Sequence, residues 1–294
     1  MKFLLDFENA ELWGSTDTNV QVCVLVNTFN HEKYIEQCLN SIVTQNVNFS
    51  FKVIVHDDNS NDSTRDILLT FYKAYPDIFL LILERENQWE KGISNLAMLL
   101  PWIESEYVAL CEGDDYWNSN DKLQVQQELL SSNRDISLSC HAVEILNERE
   151  DENYALGLRN ALANFPIQDP ELTLGRGNFI MTCSVMLRNN IIERSYLAGI
   201  HSLLPVDWLI FAALAEGGRI NYSPNVMATY RIHESSAWSS EDPGIRLARS
   251  VQTHWYLAGG LRGSVGEEAR VFLRQRTNKP RSRFRWLRKY LQSF

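Results

Sequence analysis

The residues best equipped for chemistry in this 294-residue chain lie in Cys111-Glu112-Gly113-Asp114-Asp115-Tyr116-Trp117, where three carboxylates fall within four positions. Carboxylates this close repel one another and are costly to bury, so the cluster needs open solvent, a basic partner or a divalent cation. A solvated acidic loop is the common outcome for such a run. The neighbouring sequence bears on the choice. The apolar run Tyr107–Leu110 precedes the acids and a helix-like run begins near Asp121, which puts the acids where a strand ends.

The elements that would position them follow a regular alternation. Val20–Val26 is a nearly continuous β-branched run, as expected for a strand buried on both faces of a parallel sheet. Lys33–Gln45 then carries Tyr34, Ile35, Cys38, Leu39 and Ile42 at helical spacing. Phe51–Val55 is a second strand, and Asp62 and Ser63 can cap a helix carrying Ile67, Leu68 and Phe71. A strand at Phe79–Leu83, a helix at Ser94–Ile103, a strand at Tyr107–Cys111 and a helix at Asp121–Leu130 complete the pattern. Strands alternating with helices predict a parallel α/β sheet with right-handed crossovers. Ligands bind such sheets beyond the carboxyl ends of the strands. Three polar clusters, Asn27–Asn30, Asp57–Ser60 and Glu112–Asp115, fall at those ends, so the topology gathers them at one edge.

After Asn133 the pattern becomes mixed. Strands are expected at Ile136–Ile145, Phe179–Leu187 and Arg219–Arg231. Helices are expected at Arg159–Phe165, Asp207–Ala215, Gly244–Leu261 and Glu267–Arg276, with a charged loop at Asn147–Tyr154 and a turn-rich entry at Leu174–Gly177. The expected organisation is a polar lead-in over 1–19 anchored by Trp13, and one domain over 20–240. That domain divides into a nucleotide-binding half (20–130) and a mixed half (131–240), followed by a basic helical tail over 241–294. The net charge of −9 argues against nucleic-acid binding by the body of the protein. The stretch from Arg270 to Phe294 is nonetheless strongly basic and contains no acid. Five scattered cysteines without CxxC spacing suit buried thiols in a reducing compartment. With neither a signal-peptide pattern nor an apolar run of membrane-spanning length, the expected location is cytoplasmic.

Taken together, these stretches resemble the family 2 glycosyltransferases of GT-A fold. The resemblance rests on VCVLVNTFNHEKYIEQCLNSIVTQ (Val22–Gln45), VIVHDDNSNDST (Val53–Thr64), Asn87 to Asn95 around Gly92, EYVALCEGDDYW (Glu106–Trp117) and YRIHESSAWS (Tyr230–Ser239). Five pieces in family order, from about Val20 to about Ser239, are far more specific than any one of them.

The resemblance implies an inverting transferase moving a sugar from a UDP- or dTDP-sugar to a hydroxyl of a saccharide or lipid-linked acceptor, as in bacterial surface polysaccharide synthesis. It implies that Asp58 bonds the nucleobase and that Asn27 and Phe29 line base and ribose. Asp115 would ligate Mn²⁺ or Mg²⁺, with His233 as an extra ligand, and Asp114 would contact ribose or act through a water. Hard oxygen donors suit these ions, and the metal would act as a Lewis acid on the leaving diphosphate. Trp117 would pack on a sugar. Lys91 or Arg231 would meet phosphate, although an exposed salt bridge is the simpler account of each. Asp207 would be the general base, with Glu216 and Glu234 as alternatives. Gly113 would let backbone approach the ligand. His31, His56, His141, His201 and His254 lack a comparable context.

Two other functions remain open at this stage. A sugar nucleotidyltransferase also uses such a sheet, but it needs a Gly-rich, basic loop after the first strand, and Asn27–His31 has neither glycine nor arginine. A non-catalytic carbohydrate- or nucleotide-sugar-binding protein is disfavoured by the intact acids. The tail Arg281–Phe294, with aromatics among its basic residues, suits either contact with an anionic membrane surface, at the inner face of the cell membrane, or packing on the body or another subunit.

Overall fold

Val22, Val24 and Val26 point to one face of their strand, Cys23 and Leu25 to the other, and all five are buried. That strand lies in the interior of the sheet. The computed structural model of the chain describes residues 9–149, 167, 169–189, 205–236 and 238–277. The nine strands among them are β1 (Ala10–Trp13), β2 (Val22–Thr28), β3 (Phe51–Asp57), β4 (Phe79–Glu84), β5 (Tyr107–Glu112), β6 (Tyr116–Trp117), β7 (Ile136–Asn147), β8 (Met186–Arg188) and β9 (Arg219–Ile232). They form one sheet in the order β1-β4-β3-β2-β5-β8-β7-β9-β6. Strands β4, β3, β2 and β5 run parallel. Helices α1 (Ile35–Val43), α2 (Thr64–Ala74) and α4 (Lys122–Ser132) pack on one face. Helices α3 (Asn95–Leu99) and α6 (Val206–Gly217) pack on the other. Covering both faces accounts for the uninterrupted apolar strands.

Sequence order runs outward from β2 to β3 and β4, then returns to the other side of β2 at β5. The carboxyl ends of β2 and β5, paired Asn27 to Glu112, therefore form the topological switch point. Crevices open at such points because the crossovers on either side lead away to opposite sides.

Three departures from the sequence-based expectation have local causes. The lead-in supplies the edge strand β1, antiparallel to β4, with Trp13 packed edge-on against Tyr72. The stretch Phe179–Leu187 is not one strand. Ser184 Oγ donates to the Met181 carbonyl at 2.7 Å, Thr182–Ser184 close into a 3₁₀ turn, and only β8 remains, antiparallel between β5 and β7. The turn-rich entry is instead helix α5 (Pro170–Arg176), started by Asp169 capping the Leu172 N–H with Pro170 in the first turn. The final helices α7 (Pro243–Gly260) and α8 (Ser264–Thr277) pack against it. A Cβ on Gly175 would lie 2.7 Å from the Val265 carbonyl. The expected helix Arg159–Phe165 and the tail Arg281–Phe294 lie outside the described residues. No helix among the described residues is long and apolar enough to cross a membrane.

Lys122 is fully buried in the first turn of α4, with Nζ donating to Gln126 Oε1 at 2.7 Å and lying 4.3 Å from the Trp117 ring centre. Burial without a carboxylate partner lowers its pKa to about 7. Between that value and the ordinary 10.5 the unfolded chain holds a proton that the folded chain lacks. Stability from this site therefore rises with pH across that window and is smallest below it. Lys122→Met removes the dependence. Urea unfolding at pH 7 to 9 should show the wild type gaining on the variant by up to about 1.4 kcal/mol per pH unit; parallel curves would refute the assignment.

Candidate active site

The loops leaving β2 and β3 are sewn together by side chains. Asn30 and Asn59 adopt φ of 55° and 67°, a left-handed region that asparagine tolerates better than most residues. Ser60 Oγ accepts the Asn30 N–H at 2.8 Å, Thr64 Oγ1 that of His31 at 2.9 Å, and Asp62 that of Glu32 at 3.1 Å. In return, Asn30 Oδ1 accepts from Asn61 N–H and Glu32 from Ser63 N–H. The seam fixes the backbone of His31 beside the acidic turn.

That turn is pinned from both sides. Gly113 N–H donates to the Asn27 carbonyl at 2.8 Å, and a Cβ at Gly113 would lie 2.8 Å from both His31 Nδ1 and Thr28 Oγ1. Gly113 therefore makes room for the His31 ring and the Thr28 side chain. The two aspartates then diverge. Asp115, at 1% exposure, accepts the Arg231 N–H on Oδ1 at 2.8 Å and lies against the Cys183 thiol. Burial, and then Asp114, push its carboxyl well above the ordinary value. Asp114 is only partly buried, with Oδ2 2.9 Å from His233 Nε2 and 3.9 Å from His31 Nε2. Burial raises the Asp114 carboxyl, but the two histidines outweigh it and the net shift is downward. Burial lowers His31 despite Asp114. His233 is oriented by Ser235 Oγ, 2.9 Å from Nδ1.

Arg231 braces this assembly. Its Nε donates to the Asp114 carbonyl at 2.8 Å and its other nitrogens engage Gln37 and Glu148. The guanidinium centre lies 4.7 Å from the Tyr34 ring centre and 5.5 Å from that of Tyr116. Cation–π contacts at this range add to the hydrogen bonds.

Across the switch point, Asp207 occupies the first turn of α6, and its Oδ2 accepts from Asn178 Nδ2 at 2.8 Å. Trp208 seats the helix by donating to the Leu174 carbonyl at 2.9 Å. Burial raises the Asp207 carboxyl against the hydrogen bonds from Trp208 N–H and Asn178. Burial and the charges of Asp114 and Asp207 push Glu112 up to about 8, opposed by a hydrogen bond from Asn27. The cleft thus holds acids of contrasting character, one made more acidic by imidazoles and two made less so by burial.

The remaining expected residues are placed as follows. Asp58 accepts from Gln88 N–H at 2.7 Å and Trp89 N–H at 3.1 Å, so both its oxygens hold the 85–93 loop. Asn27 is half-buried and its Oδ1 has no partner among the described residues, while Phe29 is 40% exposed beyond the end of β2. Lys91 pairs with Glu86 on its own loop. Trp117 lies beneath the turn instead of facing the cleft. It is 3% exposed and donates Nε1 to the Cys183 carbonyl, because β6 turns its ring inward onto Lys122. Arg231 is committed to the internal contacts above. Glu216 caps the turn before α8 by accepting from Arg262 and Gly263 N–H. Glu234 is exposed beside His233. The expectation of Asp115 as metal ligand meets a different arrangement: among the described residues the group able to share a metal ion is His31, Asp114 and His233, with ligand atoms within 4.8 Å of one another. His31 was missed for want of a motif around it, although it directly follows a polar cluster already placed at the ligand edge.

Comparison with known proteins decides the family. The model for glycosyl transferase family 2 matches residues 23–194, more than half of the chain. The chain belongs to glycosyl transferase family 2. This glycosyltransferase is 31% identical over 264 residues to an uncharacterized protein of Mycobacterium tuberculosis, covering 84% of this chain and 72% of the relative. It is 29% identical over 122 residues to the poly(ribitol-phosphate) beta-glucosyltransferase of Bacillus spizizenii, covering 40% of this chain and 19% of the relative. Among solved structures it is similar to S. aureus TarS 1-349 in complex with UDP-GlcNAc, with a TM-score of 0.65 and 19% identity over 90% of this chain and 74% of that one. It is also similar to the mannosyltransferase PcManGT from Pyrobaculum calidifontis in complex with GDP-Man and Mn2+, with a TM-score of 0.60 and 16% identity over 97% of this chain and 83% of that one. The glycosyltransferase therefore has the GT-A fold that the resemblance implied.

Gly113 gives a direct check on the geometry. Gly113→Ala should displace His31 or the turn and lower stability by about 1–3 kcal/mol in chemical denaturation. An alanine variant with unchanged stability would mean that the turn and the histidine are not in contact.

Proposed function

We propose that this family 2 glycosyltransferase is an inverting, metal-assisted enzyme that moves a sugar from a nucleotide-diphosphate donor to an acceptor hydroxyl, with Asp207 as the general base. The observation that carries this reading is the opposition of two kinds of acid across one switch point. Asp114 stands against imidazoles on the donor side, and Asp207 is raised by burial on the side that the mixed half supplies. An anionic diphosphate needs cationic help and an acceptor hydroxyl needs a base, and these two demands call for such a division.

The residues then take separate tasks. Asn27, whose side-chain Oδ1 has no partner among the described residues, and Phe29 line the place for base and ribose. Asp58 supports them indirectly by holding the loop of Gln88 and Trp89, and its carboxylate can also accept from a nucleobase N–H. Asp114 and His233 offer an oxygen and a nitrogen donor suited to Mn²⁺, whereas Asp115 knits the turn to β9. A bound divalent cation supplies Lewis-acid stabilisation of the leaving diphosphate. Asp207 takes the acceptor hydroxyl's proton as the new bond to the anomeric carbon forms. Attack opposite the diphosphate inverts that carbon. A base with a raised pKa is the better proton acceptor near neutrality.

A saccharide or lipid-linked saccharide of a bacterial surface polymer is the proposed acceptor class, supported by the poly(ribitol-phosphate) relative. Action at the inner face of the membrane is part of the same proposal. Asp207→Asn should lower kcat by about 10²–10⁴-fold while leaving donor affinity within about twofold. Because the acting form is the carboxylate, the wild-type rate should fall as pH drops through a value above the ordinary 3.8 of aspartate. Transfer by Asp207→Asn at an undiminished rate would remove Asp207 from the role.

A further inference from the structure

His31 does not belong to the recognisable acidic or histidine motifs, yet the fold delivers it to them. Its Nε2 lies 3.9 Å from Asp114 Oδ2, and His233 Nε2 is 2.9 Å from the same oxygen. The two rings stand edge to face with centres 6.2 Å apart. Ligand atoms about 2.1 Å from an octahedral ion stand about 3 Å from their neighbours. Three donor atoms all within 4.8 Å of one another need only a small closing movement to reach that spacing.

Two independent features indicate that this placement is built into the fold. The seam between the β2 and β3 loops holds the His31 backbone through Thr64, and its neighbours through Ser60 and Asp62. Gly113 leaves the space that the His31 ring uses: a methyl there would fall 2.8 Å from Nδ1. A surface histidine without a task would need neither.

We propose that His31 is a third protein ligand of the cation site, making it a two-imidazole, one-carboxylate centre that selects Mn²⁺, Co²⁺ or a similar transition ion over Mg²⁺. This rests on the metal-assisted reading above and narrows it. Magnesium prefers an all-oxygen octahedron and keeps several waters, whereas imidazole nitrogen favours first-row transition ions. Two imidazoles beside one carboxylate are a poor match for Mg²⁺, and with only His233 and Asp114 the preference would be weaker.

The test uses the full chain and Mn²⁺ alone, followed by the loss of the free-ion electron paramagnetic resonance signal. The wild type should bind Mn²⁺, and His31→Ala and His31→Gln should each weaken it at least about tenfold, with circular dichroism confirming the fold. A hundredfold excess of Mg²⁺ should leave most of the Mn²⁺ bound. Electron spin echo modulation of the wild-type Mn²⁺ complex should count two coordinated imidazole nitrogens, a readout that a merely structural role for His31 would not produce. A count of one, or wild-type affinity in both His31 variants while Asp114→Asn abolishes binding, overturns the role of His31 and leaves the broader metal reading standing. Displacement of Mn²⁺ by an equal concentration of Mg²⁺ overturns the selectivity. No Mn²⁺ binding by the wild type at millimolar concentration overturns both the site and the metal-assisted reading. Nucleotide-sugar binding without added metal, measured separately by thermal shift, shows whether the donor cleft survives that failure.

Discussion

Adjacent aspartates at the end of a buried strand repel each other, and little else in the site could be arranged until that repulsion is opposed. Arg231 opposes it with both backbone and side chain. Its N–H takes Asp115 and its guanidinium takes the Asp114 carbonyl, while Glu148, Gln37 and two tyrosine rings occupy the remainder of the head group. A buried guanidinium is tolerable when its donors are satisfied in this way. The same contacts bring the end of β9 against the turn. His233, two residues further on, therefore reaches Asp114 from an element that is distant in sequence.

The sheet gives the two sides of the cleft different origins. One side is made by loops of the parallel strands, which follow one another closely in the chain. The facing side depends on α6, held by Trp208 to the Leu174 carbonyl, and on Asn178, which steadies Asp207. Glu112 lies near enough to both sides that the charges of Asp114 and Asp207 each raise its carboxyl, after burial.

Much of the parallel half was legible from sequence because its signals are local. Apolar runs marked β2 to β5, and polar clusters at their ends marked the ligand edge. The unreadable parts depend on contacts between distant segments. Nothing in Gly113-Asp114-Asp115 says which aspartate turns outward; that choice is made by Arg231, more than a hundred residues away. Trp117 looks like a sugar-stacking aromatic until β6 pairs with β9 and turns it inward. His31 has no motif because its importance comes from the seam and from the gap at Gly113. The short strand β8 was hidden because Ser184 closes a turn inside an apolar run that otherwise suits a strand.

The seam between the β2 and β3 loops has a consequence for timing. Its hydrogen bonds order the backbone around His31 when the chain folds, so the conformational entropy of that loop is already lost before any ligand arrives. Encounter then requires little rearrangement on this side, and association should be governed by diffusion and charge more than by loop closure. Under the proposed function, the donor meets a surface whose backbone folding has already set.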